Sequence, residues 1–410
     1  MDWADRYRDL IAEVPKIAAE ARLMLCGLGA CIDARIAAHT LAPLFSSSAP
    51  EAARNFGETI KRRAEKGIGG EIRIDWPDGP SWLAQNLPIS YALGGTGPQA
   101  AWTLAMIGAP ALVALEDRSA HMLRHLHPDI LIAENGKPTA ARNIAPRGTR
   151  RPEIFIIEYA AGRAIGNVTP RRSSRIIVRF HDPGLEHDRQ FEELSVALAG
   201  EAGAGLISGF NSIPYERIDS EVAAVTHMTA QWLAAGLGVL HLELAGYDTP
   251  AHRDRVISGL QGTITSTGMS YSEFAALAPG SSDIAQDMCE LGERFGLDRV
   301  CVHADQWAAS ATRGDADKEQ RALMMGCLLA GTRAAKGAPT YPGEIDTRAT
   351  FTAPPLPFLS RRGKWSIVSC ASPHLEHLEA AVGLGDSFTG GCLLMLGRRV
   401  ATHGRALSRA

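Results

Sequence analysis

The sequence lacks the short motifs by which several common enzyme classes are recognised. Its 410 residues contain no GxxxxGK[ST] phosphate loop, no HExxH metal motif and no GxSxG nucleophile turn. These absences argue against a P-loop kinase, a zinc-dependent protease and a serine hydrolase of the α/β type. Any phosphate or nucleotide chemistry must therefore rest on other residues.

Long apolar runs, basic runs and paired cysteines are missing as well. No segment has about 20 consecutive apolar residues, so the sequence predicts no membrane span. The net charge of −3, without an extended basic stretch, gives no indication of nucleic acid or an anionic membrane as partner. Seven cysteines without a CxxC pair predict reduced core residues in a cytoplasmic protein. Residues 1–22 have the pattern of an amphipathic helix rather than a signal peptide.

What is present is an alternation of short apolar runs with helical patterns, which is typical of an α/β protein with a mostly parallel sheet. Helices are predicted at residues 34–42, 51–66, 100–107, 220–235, 284–295 and 318–335. Strands are predicted at residues 22–27, 71–76, 89–93, 111–115, 153–159, 175–180, 205–208, 238–244, 263–266, 299–303 and 365–370.

The chain is long for one core, which favours a large domain plus a smaller one. Two strand-rich excursions interrupt the α/β pattern, and together they predict one small sheet inserted as a lid. The predicted large domain consists of residues 1–37, 91–149 and 183–410, and the lid of residues 38–90 and 150–182. In open α/β sheets ligands bind at the carboxyl ends of the strands, and most of the polar motifs lie at or near such ends.

One glycine-rich segment carries the strongest indication of function. Gly383, Leu384, Gly385 and Asp386 precede an apolar helical run. Glycine admits close approach of a ligand to the backbone, and free amides at a helix start form an anion site. A carboxylate beside such a site is placed to take a proton from an attacking hydroxyl. The competing interpretation is that Asp386 only caps the helix.

Several motifs together resemble the ADP-dependent glucokinase/phosphofructokinase family, within the ribokinase-like superfamily. Residues 383–386 resemble its GxGD element, residues 241–243 its HxE element and residues 270–273 its NxxE element. Residues 94–97 resemble the di-glycine turn of its sugar site, and residues 26–33 the strand and turn that present an aspartate to sugar hydroxyls. The sequence departs from the pattern at Ser270 and Cys31, where the family has asparagine.

The resemblance implies a role for each matching residue. Asp386 would be the general base, and the amides of Gly383, Leu384 and Gly385 would hold the transferred phosphoryl group. Arg175 would lie near the nucleotide phosphates. Mg²⁺ would be organised, mostly through water, by Glu243, Glu273 and Asp386. The sugar would be bound by Asp33, Gly94, Gly95, Gln99 and Glu71, and a glutamate at the last position is associated with an unphosphorylated hexose.

Local structure offers competing interpretations of some of these residues. Asp33 fits an N-cap of the predicted helix 34–42, Glu273 fits a first-turn acid of a helix, and Glu71 fits an exposed strand residue. On an alternating strand Arg175 and Arg179 share one face, but Arg179 also fits an exposed lid surface.

The resemblance implies a magnesium-dependent transfer of a phosphoryl group from a nucleotide, ADP in the first instance, to a sugar hydroxyl. Two alternatives remain open at this point. One is an ATP-dependent ribokinase-like kinase of another sugar or a nucleoside. The other is a catalytically weak sugar- or nucleotide-binding protein. An exposed edge of the lid sheet also leaves a homo-oligomer open.

Overall fold

The computed structural model of the protein describes residues 2–182, 184–247, 249–278, 280, 283–380 and 382–399. In this part of the chain, helices alternate with strands along most of the sequence. The α-helices are α1 (Trp3–Ala19), α2 (Glu51–Glu65), α3 (Gly79–Asn86), α4 (Thr96–Met106), α5 (Ala120–His125), α6 (Arg189–Leu198), α7 (Ile218–Ala234), α8 (Pro250–Gly259), α9 (Tyr271–Leu277), α10 (Ile284–Arg294), α11 (Ala316–Lys336) and α12 (Leu384–Leu396).

The strands form two sheets of unequal size. They are β1 (Met24–Cys26), β2 (Cys31–Ala37), β3 (Gly70–Arg73), β4 (Ser90–Gly94), β5 (Ala111–Val113), β6 (Leu131–Glu134), β7 (Lys137–Ala140), β8 (Ile154–Tyr159), β9 (Ser174–Arg179), β10 (Ala204–Ile207), β11 (Leu240–Glu243), β12 (Ser266–Ser270), β13 (Arg299–His303), β14 (Trp307–Thr312), β15 (Leu359–Arg362) and β16 (Trp365–Ala371).

The larger sheet has 11 strands in the order β15-β16-β14-β13-β12-β11-β10-β1-β5-β6-β7. The neighbours from β13 through to β6 are parallel, and antiparallel pairs complete both edges. The predicted α/β class with a mostly parallel sheet is confirmed. Because the strands of the parallel part run the same way, their carboxyl ends lie along one edge, where ligands bind in such sheets.

Side chains from both faces of the large sheet are buried. On β1, Leu25 packs into one apolar cluster, while Met24 and Cys26 pack into another. Successive residues of a strand point to opposite faces, so helices cover the sheet on both sides. One cluster contains Trp232, and the other contains Tyr7.

The smaller sheet has five strands in the order β3-β9-β8-β2-β4. Its apolar face packs on α2 and α3 around Phe56, Trp76 and Phe155. The sheet includes β2, which lies wholly outside the predicted lid segments 38–90 and 150–182, and β4, of which only Ser90 lies inside them. Those lid boundaries stay a prediction.

Two local predictions are wrong. A strand was expected at residues 263–266, but β12 runs from Ser266 to Ser270. Residues 34–42 were expected to form a helix, but β2 runs from Cys31 to Ala37 and short 3₁₀ turns follow it. Here β2 is paired with β4 on one side and β8 on the other, which are distant in sequence. Tertiary pairing has overridden an alanine-rich pattern that locally favours a helix.

Two further expectations can be compared directly with the structure. The seven cysteines are free, and all but the half-buried Cys31 are buried. Among the described residues, no helix has the length and apolar character needed to cross a membrane.

Candidate active site

The N-terminus of α12 is formed by a glycine turn. Gly383 is the N-cap, with φ of 78°, and no side chain bonds the first-turn amides from this position. Asp386 lies in the first turn of the helix rather than at its cap, so the capping interpretation of Asp386 is wrong. The turn therefore leaves amide donors at the positive end of a 13-residue helix.

The Asp386 carboxylate is set among charges of both signs. Burial raises its pKa, and the neighbouring Glu243 charge adds to that effect. The guanidinium of Arg333, a hydrogen bond from Thr96 and the charge of Arg175 oppose the rise. A raised pKa makes a carboxylate a stronger base, which suits it to accept a proton from a hydroxyl.

Asp33 lies on β2, where it is only 6% exposed. Burial raises its pKa to about 7, against the effect of Arg35, whose Nη2 lies 3.8 Å from Oδ2. The charge of Asp386 raises the pKa of Asp33 further, so the two carboxylates are close enough to interact. Because Asp33 is within a strand, its interpretation as a helix cap is wrong.

The turn after β4 closes around Asp33. A Cβ atom on Gly94 would come within 2.6 Å of Cys31 Sγ and 2.9 Å of Asp33 Cγ, so no larger residue fits. Gly95 has φ of 86°, and its backbone lies against residues 29 and 30. The two glycines thus let the start of α4 approach Asp33 closely.

Gln99 is also buried in this wall of the cleft, with 2% exposure. Its Nε2 donates to the carbonyl of Leu93, whereas its Oε1 has no partner in the described part of the chain. An unpaired buried acceptor costs free energy. A hydroxyl-bearing ligand would satisfy it.

Glu243, at the carboxyl end of β11, is held from several sides. Its Oε2 is 2.9 Å from His241 Nε2 and 3.0 Å from Thr389 Oγ1, and its Oε1 is 3.2 Å from His303 Nε2. Burial alone would raise the pKa of Glu243, but the bonds from His241 and His303 lower it to about 2. Glu243 in turn outweighs burial at His303 and raises that pKa to about 9.

This network predicts a pH-dependent contribution to stability. The lowered pKa of Glu243 stabilises the fold above about pH 4.5, and this contribution is lost as the pH falls towards 2. The raised pKa of His303 stabilises the fold fully below about pH 6.5, and this contribution is lost as the pH rises through 9. Both contributions are fully present between about pH 4.5 and pH 6.5. In this range we expect His303→Gln to lower the free energy of unfolding by roughly 3 kcal/mol.

Urea unfolding of wild type and His303→Gln from pH 4 to pH 10 tests this expectation. The exposed His377→Gln serves as the matched control. A penalty for His303→Gln that stays constant over this range would contradict the ionised pair.

Glu273 follows β12 at the start of α9. It forms a capping box with Ser270: Glu273 Oε2 accepts from the backbone N and the Oγ of Ser270, each at 2.7 Å. The expected first-turn role is thus present. Burial raises the pKa of Glu273, and the charge of Glu243 contributes, so the two carboxylates are neighbours.

The donor set at Glu243 and Glu273 can be compared with the needs of Mg²⁺. Within the described ranges, no three His, Cys, Asp or Glu side chains form a cluster able to hold a metal ion directly. Both oxygens of Glu243 already accept hydrogen bonds. Mg²⁺ keeps several water ligands and needs few protein ligands. The residues therefore fit an ion held mainly through water.

The cleft face of β9 is basic. Ile176 and Val178 are buried in the small core, which turns Arg175 and Arg179 to the opposite face as expected. Arg175 lies close enough to lower the pKa of both Asp33 and Asp386. Arg175 is therefore a cation near both carboxylates.

Glu71 on β3 is not an exposed residue. Its side chain is 11% exposed and pairs with Arg179, whose own side chain is 10% exposed. Its Oε2 also accepts from Asn211 Nδ2 at 3.0 Å, which ties the small sheet to the segment after β10. Arg179 is therefore not the exposed surface residue that one interpretation of the sequence offered.

A cavity of about 240 Å³ lies beside the C-terminal part of α11. Its walls include the apolar side chains of Leu328, Ile345 and Leu375 and the charged side chains of Lys336 and Asp346. Thr332, in its wall, is next to Arg333, which packs on Gly383. The cavity thus lies beside the part of α11 that carries Arg333.

Some residues of the site were missed in the sequence. Arg35 would have been found if β2 had been recognised. Alternate residues of a strand lie on the same face, and Arg35 is two residues after Asp33. Thr96 and Thr389 carried no distinctive pattern. Arg333 fits an ordinary cation in the last turn of a helix, so nothing local indicated its position in the cleft.

The chain is similar to known proteins over most of its length. The family model described as "ADP-specific Phosphofructokinase/Glucokinase conserved region" matches residues 22–395. No curated protein matches the sequence. An ADP-dependent kinase solved with fructose 6-phosphate and ADPβS is similar in fold, with 15% identity, TM-score 0.80, and coverage of 98% of this chain and 100% of that one.

Two further structures support the same fold. One is a reconstructed last common ancestor of ADP-dependent phosphofructokinases from Methanosarcinales, with 15% identity and TM-score 0.75, covering 97% of this chain and 99% of that one. The other is a hypothetical ADP-dependent phosphofructokinase from Pyrococcus horikoshii OT3, with 15% identity and TM-score 0.72, covering 92% and 98%. At this identity the likeness concerns the fold.

Proposed function

The chain belongs to the family of ADP-specific phosphofructokinases and glucokinases, and from this premise we propose how its residues transfer a phosphoryl group from ADP to a sugar. As a member of this family it is an ADP-dependent sugar kinase, a phosphotransferase with an alcohol group as acceptor. The acceptor is a hydroxyl of a hexose or a hexose phosphate, and the second product is AMP.

The observation that carries the proposal is the proximity of Asp386 and Asp33. The charge of Asp386 raises the pKa of Asp33, and the charge of Arg175 lowers the pKa of both carboxyl groups. Asp386 also lies in the first turn of α12, beside amides that suit an anion. Asp386 would take the proton of the sugar hydroxyl while these amides hold the phosphoryl group.

The acceptor would bind against β2 and β4. Asp33 and the unpaired Oε1 of Gln99 offer acceptors for sugar hydroxyls, and Gly94 and Gly95 bring the start of α4 against Asp33. The Glu71 carboxylate would repel a sugar phosphate, which favours an unphosphorylated hexose. Arg179 and Arg73 beside it are the cations that a sugar phosphate would require, so both classes of acceptor must be tested.

The donor would lie along α11 and α12. The cavity beside Thr332 has the apolar side chains of Leu328, Ile345 and Leu375 in its walls, against which a nucleotide base could pack. Arg175 offers a guanidinium for the phosphates. When bound, Mg²⁺ would screen the charge of these phosphates; Glu243, Glu273 and Asp386 would hold it, mainly through water. Closure of the small sheet over the cleft would exclude water and suppress hydrolysis of the nucleotide. The free cysteines support a reducing compartment such as the cytoplasm.

The test is AMP release by the purified protein with ADP and Mg²⁺ against a panel that includes glucose, fructose 6-phosphate and nucleosides. We expect AMP release that depends on one hexose or hexose phosphate and stops when EDTA removes the metal. Parallel reactions with ATP test the alternative donor. Turnover with ATP alone would replace the ADP proposal, and ligand binding without turnover under any condition would support a binding protein.

A further inference from the structure

Arg333 is a buried cation that packs directly on the turn of the anion site. It lies near the end of α11 and is 3% exposed. A Cβ atom added to Gly383 would overlap its guanidinium carbon and both Nη atoms. The absence of a side chain at Gly383 is therefore what lets the guanidinium reach the N-terminus of α12.

One hydrogen bond fixes the direction of this guanidinium. Its Nη1 donates to Ser387 Oγ at 3.2 Å. Ser387 is fully buried and is also hydrogen-bonded to Thr103 Oγ1 of α4 at 2.8 Å. Three helices thus hold Arg333 next to the turn that carries Asp386.

The charge of Arg333 is poorly compensated by the protein. In the described ranges its Nε has no hydrogen-bond partner, and Asp386 and Asp33 act on the guanidinium through their charges, without a hydrogen bond. Burial lowers its pKa, Asp386 and Asp33 raise it, and Arg35 lowers it further. Buried charges are normally paired, so an unpaired donor here points to an anion that arrives with a ligand.

We propose that Arg333 binds the phosphoryl group during its transfer, as a third wall of the anion site beside the α12 amides and Arg175. This rests on the proposed function. The acceptor oxygen forms a bond to the β-phosphorus of ADP while the bond from that phosphorus to the bridging oxygen breaks. AMP leaves with the electron pair, and the acceptor proton goes to Asp386. Arg333 stabilises the charge that spreads over the phosphoryl oxygens.

Substitution of Arg333 separates this role from packing. Arg333→Met removes the guanidinium and keeps the apolar part of the side chain, and we expect kcat to fall about 10²- to 10³-fold with the KM of the sugar nearly unchanged. Arg333→Lys should retain an intermediate rate, because it keeps a charge without the planar fork. Arg321→Met, on the same helix but paired with Glu13 at the surface, is the matched control.

Chemical rescue gives a second measurement. Arg333→Ala should regain turnover with added guanidinium ion, but not with urea, which has a similar shape and no charge. Equal rescue by both, or unchanged kcat in Arg333→Met, would overturn the proposal. Circular dichroism of each variant identifies a folding defect. If Arg333→Met or Arg333→Ala is misfolded, the rate of Arg333→Lys tests the proposal in its place.

A binding experiment keeps the inference independent of turnover. Pyrophosphate should raise the melting temperature of the wild-type protein and of Arg321→Met by the same amount. The rise should be smaller for Arg333→Lys and smallest for Arg333→Met. An equal rise in all four proteins would overturn the role of Arg333 even if the kinase reaction is found. If the wild type turns over no sugar while this order is observed, the proposed function fails and the anion site stands.

Discussion

Asp386→Asn is expected to lower kcat by up to about 10⁴-fold, the upper range for loss of a general acid or base. Asparagine has nearly the same shape and can still accept the hydrogen bond from Thr96. Its amide has no place for the proton of the attacking hydroxyl. Because Gly383 rather than Asp386 is the N-cap, the substitution leaves the start of α12 intact.

The measurement is AMP release at saturating ADP and acceptor, with ADP affinity from calorimetry. Affinity should change by less than the rate, because the amides of the turn remain. Asp317→Asn is the control, since Asp317 is also a first-turn carboxylate, in α11, but is exposed. A kcat for Asp386→Asn within about tenfold of wild type would refute the general-base assignment, while membership of the family would be unaffected.

Gly383→Ala is expected to impair both folding and catalysis. The residue has φ of 78°, which costs a non-glycine residue about 1–2 kcal/mol, and its Cβ would overlap the guanidinium of Arg333. Overpacking a dense site adds about 1–3 kcal/mol. Displacing Arg333 and the turn amides together should reduce kcat at least as much as Arg333→Met does.

Gly108→Ala separates the two causes. Gly108 has φ of 83° with open space around its Cβ position, so it reports the backbone cost alone in urea unfolding. In the Arg333→Met background, the cost of Gly383→Ala should fall towards that of Gly108→Ala. If the cost of Gly383→Ala is the same in both backgrounds, the contact with Arg333 does not constrain this position.

The sequence was informative wherever a local pattern determined the structure. The strand Arg299–His303 was predicted with its observed bounds, and the glycine turn before α12 was predicted from its composition. Family membership was predicted from the combination of short motifs and is confirmed by the family model. The individual site residues, Asp386 included, stay predictions until they are tested.

Features that depend on distant partners were missed. The strand β2 is determined by pairing with β8, which lies about 120 residues later by its register of Asp33 with Ile154. Local propensity carries no information on such a partner. Likewise, the role of Arg333 depends on the missing side chain of Gly383. A cation near the end of a helix already has a sufficient local explanation, which conceals its long-range contact.

Two of the connections between the two sheets are very short. Four residues join β1 to β2, and Gly95 alone separates β4 from α4. Asp33 lies close to these connections, whereas Glu71 lies three strands away, or about 14 Å at the usual strand spacing. If the small sheet closes over the cleft as proposed, rotation about these connections would move Asp33 little and Glu71 more. In the proposed sugar subsite, the contact at Asp33 would then stay fixed while the contact at Glu71 would change with the angle of the small sheet.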